Sequence, residues 1–248
     1  MYSDKQGSIQ GCFGKKKIYY KLLYGKKPSK NYFIFFHGSY SSSISNNKDA
    51  YISEYIIRKN LGNVLLYETS RQLYSFETHL SFQEYKLKFG RKTFQEERED
   101  IQRLFTFFTT SLVHIPAPHI NFIGFSLGGT LMSYLLPTDK NHIKNIFLFG
   151  SGVTTKVKGS TYSGYPKEDE ILKNFKMYKG NVFLVRGAED EVIDEADMFK
   201  IYKASMNAHS VQITKLQGID HSFRKIHGKE AVARVAHKLA FYIATSVN

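Results

Sequence analysis

The sequence contains one cysteine, no tryptophan and no long apolar run, and these absences narrow the classes of protein that it can encode. A single thiol, Cys12, excludes an internal disulfide and any metal site built from paired cysteines. No apolar run approaches the ~20 residues of a membrane-spanning helix. Residues 1–14 also lack the apolar segment of a signal peptide. We therefore expect a soluble protein of the cytoplasm.

Acidic residues are scarce beside basic ones, with 22 Asp and Glu against 35 Lys and Arg and a formal net charge of +13. Such an excess can indicate a nucleic acid, an anionic membrane surface or an acidic substrate as partner. The basic residues are spread along the chain, and the densest run is Lys15-Lys16-Lys17. No RNA-binding motif, zinc-finger spacing or basic helix accompanies them. We interpret the charge first as a lysine-rich surface, keep an anionic partner as the alternative, and expect no nucleic-acid partner.

Short apolar strands alternate with helices along the 248 residues, a length that is normal for one large α/β domain. Runs rich in β-branched and aromatic residues predict strands at 17–24, 32–36, 64–67, 120–123, 143–149, 182–185 and 211–216. Apolar residues at helical spacing predict helices at 49–60, 93–110, 127–136, 166–178, 195–205 and 229–245. The alternation predicts a parallel sheet with helices on both faces. A Gly/Pro-containing turn predicts that the first two of these strands form an antiparallel hairpin.

Three local features refine these boundaries. Thr93 and Glu96 have the spacing of a capping box at the start of the second helix. Gly62 lies where the first helix is predicted to stop. The aromatic stretch 70–91 has no clear assignment, and its rings either line a substrate pocket or pack beneath a long loop.

The segment Gly124-Phe125-Ser126-Leu127-Gly128 lies between a predicted strand and a predicted helix. This G-x-S-x-G pattern is typical of a serine at the apex of a tight strand-to-helix turn, where side chains in place of the glycines would collide with neighbouring elements. The turn exposes the hydroxyl at a helix N-terminus, whose dipole favours developing negative charge. We interpret Ser126 as a nucleophile; the alternative is a glycine-rich turn with an incidental serine.

A hydroxyl needs a base to accept its proton, and a histidine base needs a carboxylate to orient it. His221 follows the last predicted strand and is the best-placed base, with His227 as the alternative. Asp190 lies in the acidic loop after the strand 182–185. We favour Asp190 over Asp194 as the carboxylate because of its position in that loop.

Acyl transfer also needs two N–H donors for the oxyanion. One would be the N–H of Leu127, directly after the serine. The second would come from the loop after the strand 32–36, at Ser39 or alternatively Tyr40. In this interpretation His37 braces the loop and is not a second base.

Together these motifs resemble the α/β-hydrolase family, and the order Ser126, Asp190, His221 is the order of that family. The resemblance implies an eight-stranded, mostly parallel sheet with an N-terminal antiparallel hairpin and helices on both faces. It also implies a single domain over 1–248 and hydrolysis without a metal or an organic cofactor. Where many relatives carry a cap domain, this chain has only a short lid-like insertion at 150–181, with one helix.

A second departure is the segment Glu68-Thr69-Ser70-Arg71-Gln72, where many members of the family have an Asp-x-x-Gly-x-Gly-x-Ser stretch. The resemblance implies a serine hydrolase that cleaves carboxylic esters or thioesters of small molecules or lipids through an acyl-enzyme on Ser126. Two alternatives stay open: a peptidase that uses the same residues, and a non-catalytic binding protein of the same fold.

Overall fold

The computed structural model describes residues 3–39, 41–70, 92–138, 142–153, 163–223 and 232–247, and the structural statements below concern these residues. The strands are β1 (Ser3–Gln10), β2 (Lys17–Tyr24), β3 (Asn31–Phe36), β4 (Asn63–Glu68), β5 (His119–Phe125), β6 (Ile143–Phe149), β7 (Asn181–Gly187) and β8 (Ser210–Leu216). The α-helices are α1 (Asn47–Arg58), α2 (Phe94–Phe107), α3 (Leu127–Ser133), α4 (Glu168–Met177), α5 (Glu195–Ala204) and α6 (Val232–Ser246). One π-helical turn (Phe108–Leu112) extends α2, and one 3-10 turn (Ser205–Asn207) extends α5.

All eight strands form one sheet in the order β1-β2-β4-β3-β5-β6-β7-β8. β2 is antiparallel to both of its neighbours, β1 and β4. The remaining neighbours, from β4 through β8, are parallel. This confirms the predicted fold class, a mostly parallel eight-stranded sheet with an antiparallel hairpin at its N-terminal end.

The predicted partners within that hairpin were wrong. The hairpin consists of β1 and β2, and β2 then pairs with β4 rather than with β3. β3 has a parallel neighbour on each side and is almost entirely buried, so no edge of it is left for β2. β1 was missed because its residues are polar and mostly exposed, as suits a strand at the edge of a sheet.

The sheet is buried on both faces by helices. Side chains alternate along each strand, so that in β3 Ile34 and Phe36 join the core beneath α2 to α5, while Phe33 and Phe35 join the core beneath α1 and α6. Parallel strands covered on both faces are typically continuous apolar runs. This explains why the central strands were visible in the sequence.

The helix boundaries follow local chemistry. The capping box is confirmed: the Thr93 hydroxyl accepts from the N–H of Glu96, and the Glu96 carboxylate accepts from the N–H of Thr93. Gly62 does not end α1, which stops at Arg58 and is followed by Asn60 in the left-handed conformation, with φ of 53°. Gly62 instead allows close approach, since a Cβ there would lie 2.6 Å from the carbonyl oxygen of Asn31.

The helix expected in the lid-like insertion is α4. Its Ile171 and Phe175 are buried in the core beside the sheet, so this helix is part of the helical layer. Residues 154–162 of the insertion, like residues 71–91, lie outside the described residues, and a lid at 150–181 stays a prediction. In the described part of the chain, no helix has both the length and the apolar character needed to span a bilayer.

A cluster of buried charged side chains connects α2 to the neighbouring strands of the sheet. Lys92 is fully buried and contacts the carboxylates of Asp100 and Glu97, the latter at 2.7 Å. The Lys92 ammonium also donates to the Ser70 hydroxyl at 3.1 Å. Asp100 accepts from the backbone N–H groups of Ser70 and Cys12, both at 2.8 Å. The end of β4, the start of α2 and the β1–β2 connection are thus tied together.

We expect Lys92→Met to lower the free energy of unfolding by about 3–5 kcal/mol, because two buried carboxylates would lose their cation. Urea unfolding followed by circular dichroism measures this change. Lys173→Met, at an exposed position on α4, is the control and should change stability by less than about 0.5 kcal/mol. Equal effects of the two substitutions would show that the cluster does not stabilise the fold.

Candidate active site

Ser126 occupies the tight turn between β5 and α3, with φ of 51° and ψ of −122°. A positive φ is uncommon for a residue with a side chain. The flanking glycines permit the turn: a Cβ at Gly124 would lie 2.7 Å from the Cα of Gly129, and one at Gly128 would overlap the carbonyl of Phe36. The predicted steric role of these glycines is therefore visible in the packing of α3 against the sheet.

Three predicted residues form a continuous chain of hydrogen bonds. The distance between Ser126 Oγ and His221 Nε2 is 3.0 Å, and the distance between His221 Nδ1 and Asp190 Oδ2 is 2.9 Å. With Asp190 ionised, Nδ1 carries the proton that it donates, and Nε2 can accept a proton from the serine. The His221 side chain is 19% exposed and that of Asp190 is fully buried.

The environment of Asp190 favours its charged form. Burial alone raises the pKa of this carboxyl, but the hydrogen bond from His221 and the N–H groups of Ile193 and Val192 outweigh it, and the pKa lies below its ordinary value. Those two N–H groups donate to Oδ1, each at 2.9 Å. One carboxylate oxygen therefore faces the histidine while the other is held by the loop.

The second carboxylate considered from the sequence lies elsewhere. Asp194 caps the N-terminus of α5, where its side chain accepts from the N–H of Ala196 at 3.1 Å. The structure brings Asp190, and not Asp194, to His221. His227 and Tyr40, the alternatives for the base and for the oxyanion donor, lie outside the described residues.

Arg186, at the end of β7, holds the loop that carries Asp190. Its guanidinium donates to four backbone carbonyls: Nη2 to Asp190 at 2.6 Å and Ile193 at 3.3 Å, and Nη1 to Gly187 at 2.9 Å and Ala188 at 3.3 Å. The residue is 7% exposed. Arg186 was not among the residues predicted from the sequence, although an arginine at the end of a buried strand needs several hydrogen-bond acceptors.

The loop after β3 lies beside Ser126. A Cβ at Gly38 would be 3.5 Å from the Cβ of Ser126. His37 is buried, with Nδ1 3.0 Å from the Gly38 carbonyl oxygen and its ring centroid 5.2 Å from that of Tyr67, as a bracing role requires. Ser39 follows Gly38 and Leu127 follows Ser126, and the use of their N–H groups as oxyanion donors stays a prediction.

Two further residues with positive φ lie near the histidine and were not found from the sequence. Gly150 has φ of 54°, and a Cβ there would lie 3.3 Å from Asp190 Oδ2 and 3.4 Å from His221 Nδ1. Phe223 has φ of 58° and packs edge-on against the rings of Phe125 and Phe149. A glycine directly after a buried strand could have indicated Gly150, whereas no local pattern indicates Phe223.

Comparison with known proteins shows similarity in structure but not in sequence. No family model matches the chain, and no curated protein matches it. Among solved structures, a Bacteroides ovatus protein described as a dipeptidyl aminopeptidase IV aligns with 99% of this chain at 17% identity and a TM-score of 0.69. Our chain spans only 36% of that protein.

Two other solved structures match along nearly their whole length. An esterase domain from a Rhodothermus marinus protein covers 99% of this chain and is itself covered completely, at 15% identity and a TM-score of 0.63. An alpha-beta serine hydrolase homologue from Coxiella burnetii is 13% identical, with 98% of this chain and 97% of that chain aligned and a TM-score of 0.65. The chain therefore has the α/β-hydrolase fold.

Because the pKa of Asp190 is lower in the folded protein than its ordinary value of about 4, its ionised form stabilises the fold. This contribution to the free energy of unfolding is present above about pH 4, the ordinary pKa of the group, and is lost as the pH falls toward the lower pKa of the folded protein. We therefore expect the stability of the native protein to fall more steeply on acidification than that of Asp190→Asn. Urea unfolding at a series of pH values below about 5 measures this. Asp169→Asn, an exposed control, should follow the native curve; a native curve parallel to that of Asp190→Asn would contradict the expectation.

Proposed function

We propose that this protein is a serine hydrolase that cleaves carboxylic ester or thioester bonds through an acyl-enzyme on Ser126. The observation that carries the proposal is the chain of hydrogen bonds from Ser126 Oγ through His221 to Asp190. These three residues follow β5, β8 and β7, at the edge of the sheet where the carboxyl ends of the parallel strands meet. Ligands of open α/β sheets bind at that edge.

In the first step His221 Nε2 accepts the hydroxyl proton while Ser126 Oγ attacks the carbonyl carbon of the substrate. The carbonyl π electrons move to the oxygen, and the N–H groups of Leu127 and Ser39 stabilise the resulting oxyanion. When the C=O bond re-forms, the bond to the alcohol or thiol breaks, and His221 returns its proton to that leaving group. The product of this step is an ester on Ser126.

Water completes the cycle by the same chemistry. His221 accepts a proton from a water molecule while the water oxygen attacks the carbonyl carbon of the acyl-enzyme. His221 then protonates Ser126 Oγ as the bond between Oγ and the acyl group breaks. Asp190 stays ionised throughout and stabilises the imidazolium that forms twice in each turnover. Its lowered pKa suits this role, because a carboxylate that took up the proton could not stabilise the positive charge.

The bond that Ser126 attacks is proposed from the reactivity of acyl groups and from the structural neighbours. The carbonyl of an ester or thioester is less stabilised by resonance than that of an amide, so an ester or thioester makes the smaller demand on the site. The Rhodothermus marinus neighbour is an esterase domain that this chain matches over its full length. The neighbour described as a peptidase matches over about a third of its own. We therefore propose small-molecule or lipid acyl esters and thioesters as substrates, with a peptidase as the second candidate.

We expect Ser126→Ala to lower kcat/KM for p-nitrophenyl esters by more than about 10³-fold, because the attacking oxygen is removed. Ser111→Ala, which changes an exposed serine, should leave the rate unchanged. Activity of Ser126→Ala equal to that of the native protein would refute the acyl-enzyme. Parallel assays with acyl esters, thioesters and peptide amides of several chain lengths would identify the bond.

A fluorophosphonate probe separates an enzyme from a binding protein that only shares the fold. We expect labelling of the native protein at Ser126, located by mass spectrometry of the modified peptide, and much slower labelling of His221→Gln. Labelling requires an activated serine, so folded native protein that stays unlabelled would favour the non-catalytic alternative.

Arg186 should act as a positioning residue, since it holds the backbone on both sides of Asp190. We expect Arg186→Met to lower kcat by about 100-fold with a small change in KM, because a displacement of about 1 Å in a catalytic group has an effect of this size. Arg186→Lys should recover part of the loss. Assays well below the melting temperature, with circular dichroism as a check on folding, exclude simple unfolding. An unchanged kcat would contradict the positioning role.

A further inference from the structure

Positive charge is concentrated at the N-terminal end of the chain. Residues 1–30 contain eight lysines and one acidic residue, Asp4, so they hold a net charge of +7 out of the total of +13. These lysines belong to the β1–β2 hairpin and its two connections. Just over half of the excess charge of the protein therefore lies in β1, β2 and the connections that follow them.

One end of this hairpin lies at the carboxyl ends of the parallel strands, where Ser126 also lies. We call residues 11–17, the β1–β2 connection together with the first residue of β2, the hairpin tip; they include Lys15, Lys16 and Lys17. Following the pairing from strand to strand, Tyr20 of β2 is level with Gly124 of β5. The tip continues past that level, as Ser126 does. Three strand spacings, about 14 Å, separate the two strands.

The hairpin tip is held firmly to the body of the protein. Its ends are joined by a hydrogen bond from the N–H of Gly11 to the carbonyl of Lys16, at 2.9 Å. The N–H of Cys12 donates to Asp100 at 2.8 Å, and that of Phe13 donates to the Ser70 hydroxyl at 3.2 Å. Both acceptors belong to the buried cluster around Lys92, so the tip presents its lysines from a fixed position.

The backbone of the tip places a lysine where lysine is uncommon. The N–H of Lys16 donates to the carbonyl of Phe13 at 3.0 Å, and the two residues between them, Gly14 and Lys15, have φ of 55° and 58°. Two positive φ values define a type I′ turn, in which asparagine and glycine are preferred. Lys15 thus occupies an unfavourable conformation on the surface, and such strain is often associated with function.

The side chains of the tip combine charge with aromatic rings. Lys15 and Lys17 are exposed, and Lys16 is half-exposed with its Nζ 5.8 Å from the ring centroid of Phe13. Tyr19, on the exposed face of β2, is 39% exposed. Lysines that neighbour aromatic rings suit the interface of an anionic bilayer, where the cations meet lipid headgroups and the rings enter the interfacial layer.

We propose that the hairpin tip docks the protein on an anionic phospholipid surface, with the Ser126 edge of the sheet directed toward the lipid. This interaction goes beyond the proposed hydrolase function and does not require it. A second lysine group, Lys26, Lys27 and Lys30, lies in the connection from β2 to β3, beyond the opposite end of β2. An eight-residue strand, about 26 Å long, separates the two groups. A flat surface that contacts one end of the strands therefore does not contact the lysines at the other end.

The two lysine groups provide a matched pair of variants. K15Q/K16Q/K17Q and K26Q/K27Q/K30Q remove the same number of charges from the two ends of β2. Co-sedimentation with vesicles of phosphatidylcholine, alone or with about one-third phosphatidylglycerol, measures the partition coefficient. All proteins carry Ser126→Ala, so that hydrolysis cannot alter the vesicles and a failure of the catalytic proposal leaves this test unaffected. Circular dichroism confirms that each variant is folded.

We expect the parent protein to bind the anionic vesicles, not the neutral ones, and to bind less as NaCl rises from about 0.05 M to about 0.5 M. Each lysine near the surface contributes about fivefold to partitioning, so K15Q/K16Q/K17Q should lose roughly 100-fold and the control variant less than about threefold. Equal losses in the two variants would overturn docking through the tip. Absence of vesicle binding by the parent would overturn the proposal, and tip-dependent binding to a DNA or RNA duplex in its place would assign the surface to nucleic acid.

Discussion

The first turn of α3 lies directly against the carboxyl end of β3, and the geometry of the site depends on this contact. A side chain at Gly128 would overlap the carbonyl of Phe36, and one at Gly124 would collide with Gly129. With these glycines, the helix approaches the sheet closely enough to hold Ser126 at positive φ beside Gly38. The backbone position of the proposed nucleophile is thus fixed by the packing of α3 against the sheet.

The other half of the site depends on how the ends of β7 and β8 are joined. The N–H of Ala188 donates to Leu216, and that of Glu189 donates to Ile219. A Cβ at Gly187 would overlap the carbonyl of Ile219, so the two loops can approach this closely only at a glycine. Arg186 holds the loop that carries Asp190 through hydrogen bonds to its backbone carbonyls. The distance between His221 and Asp190 is therefore set by backbone contacts between neighbouring strands.

The sequence was most informative where burial and sterics constrain it. The apolar central strands, the capping box at Thr93 and the G-x-S-x-G turn were all predicted, because each requires particular residues. The edge strand β1 was not, since polar residues at an edge resemble a loop, and the partner of β2 depends on contacts distant in the chain. Asp194 could have been set aside from the sequence, because an aspartate directly before a predicted helix fits an N-cap.

The buried contact between Lys92 and Ser70 has a consequence for how this fold can vary. The two residues are the described neighbours of the stretch 71–91, and the contact holds the two ends of the described chain together at this point. Because the two ends already meet, additional residues between them should destabilise the protein only slightly. Doubling the length of a loop raises the free energy of its closure by only about 0.6 kcal/mol. The number of residues between Ser70 and Lys92 can therefore change with little effect on the stability of the sheet, because the contact that joins the two ends is part of the buried cluster.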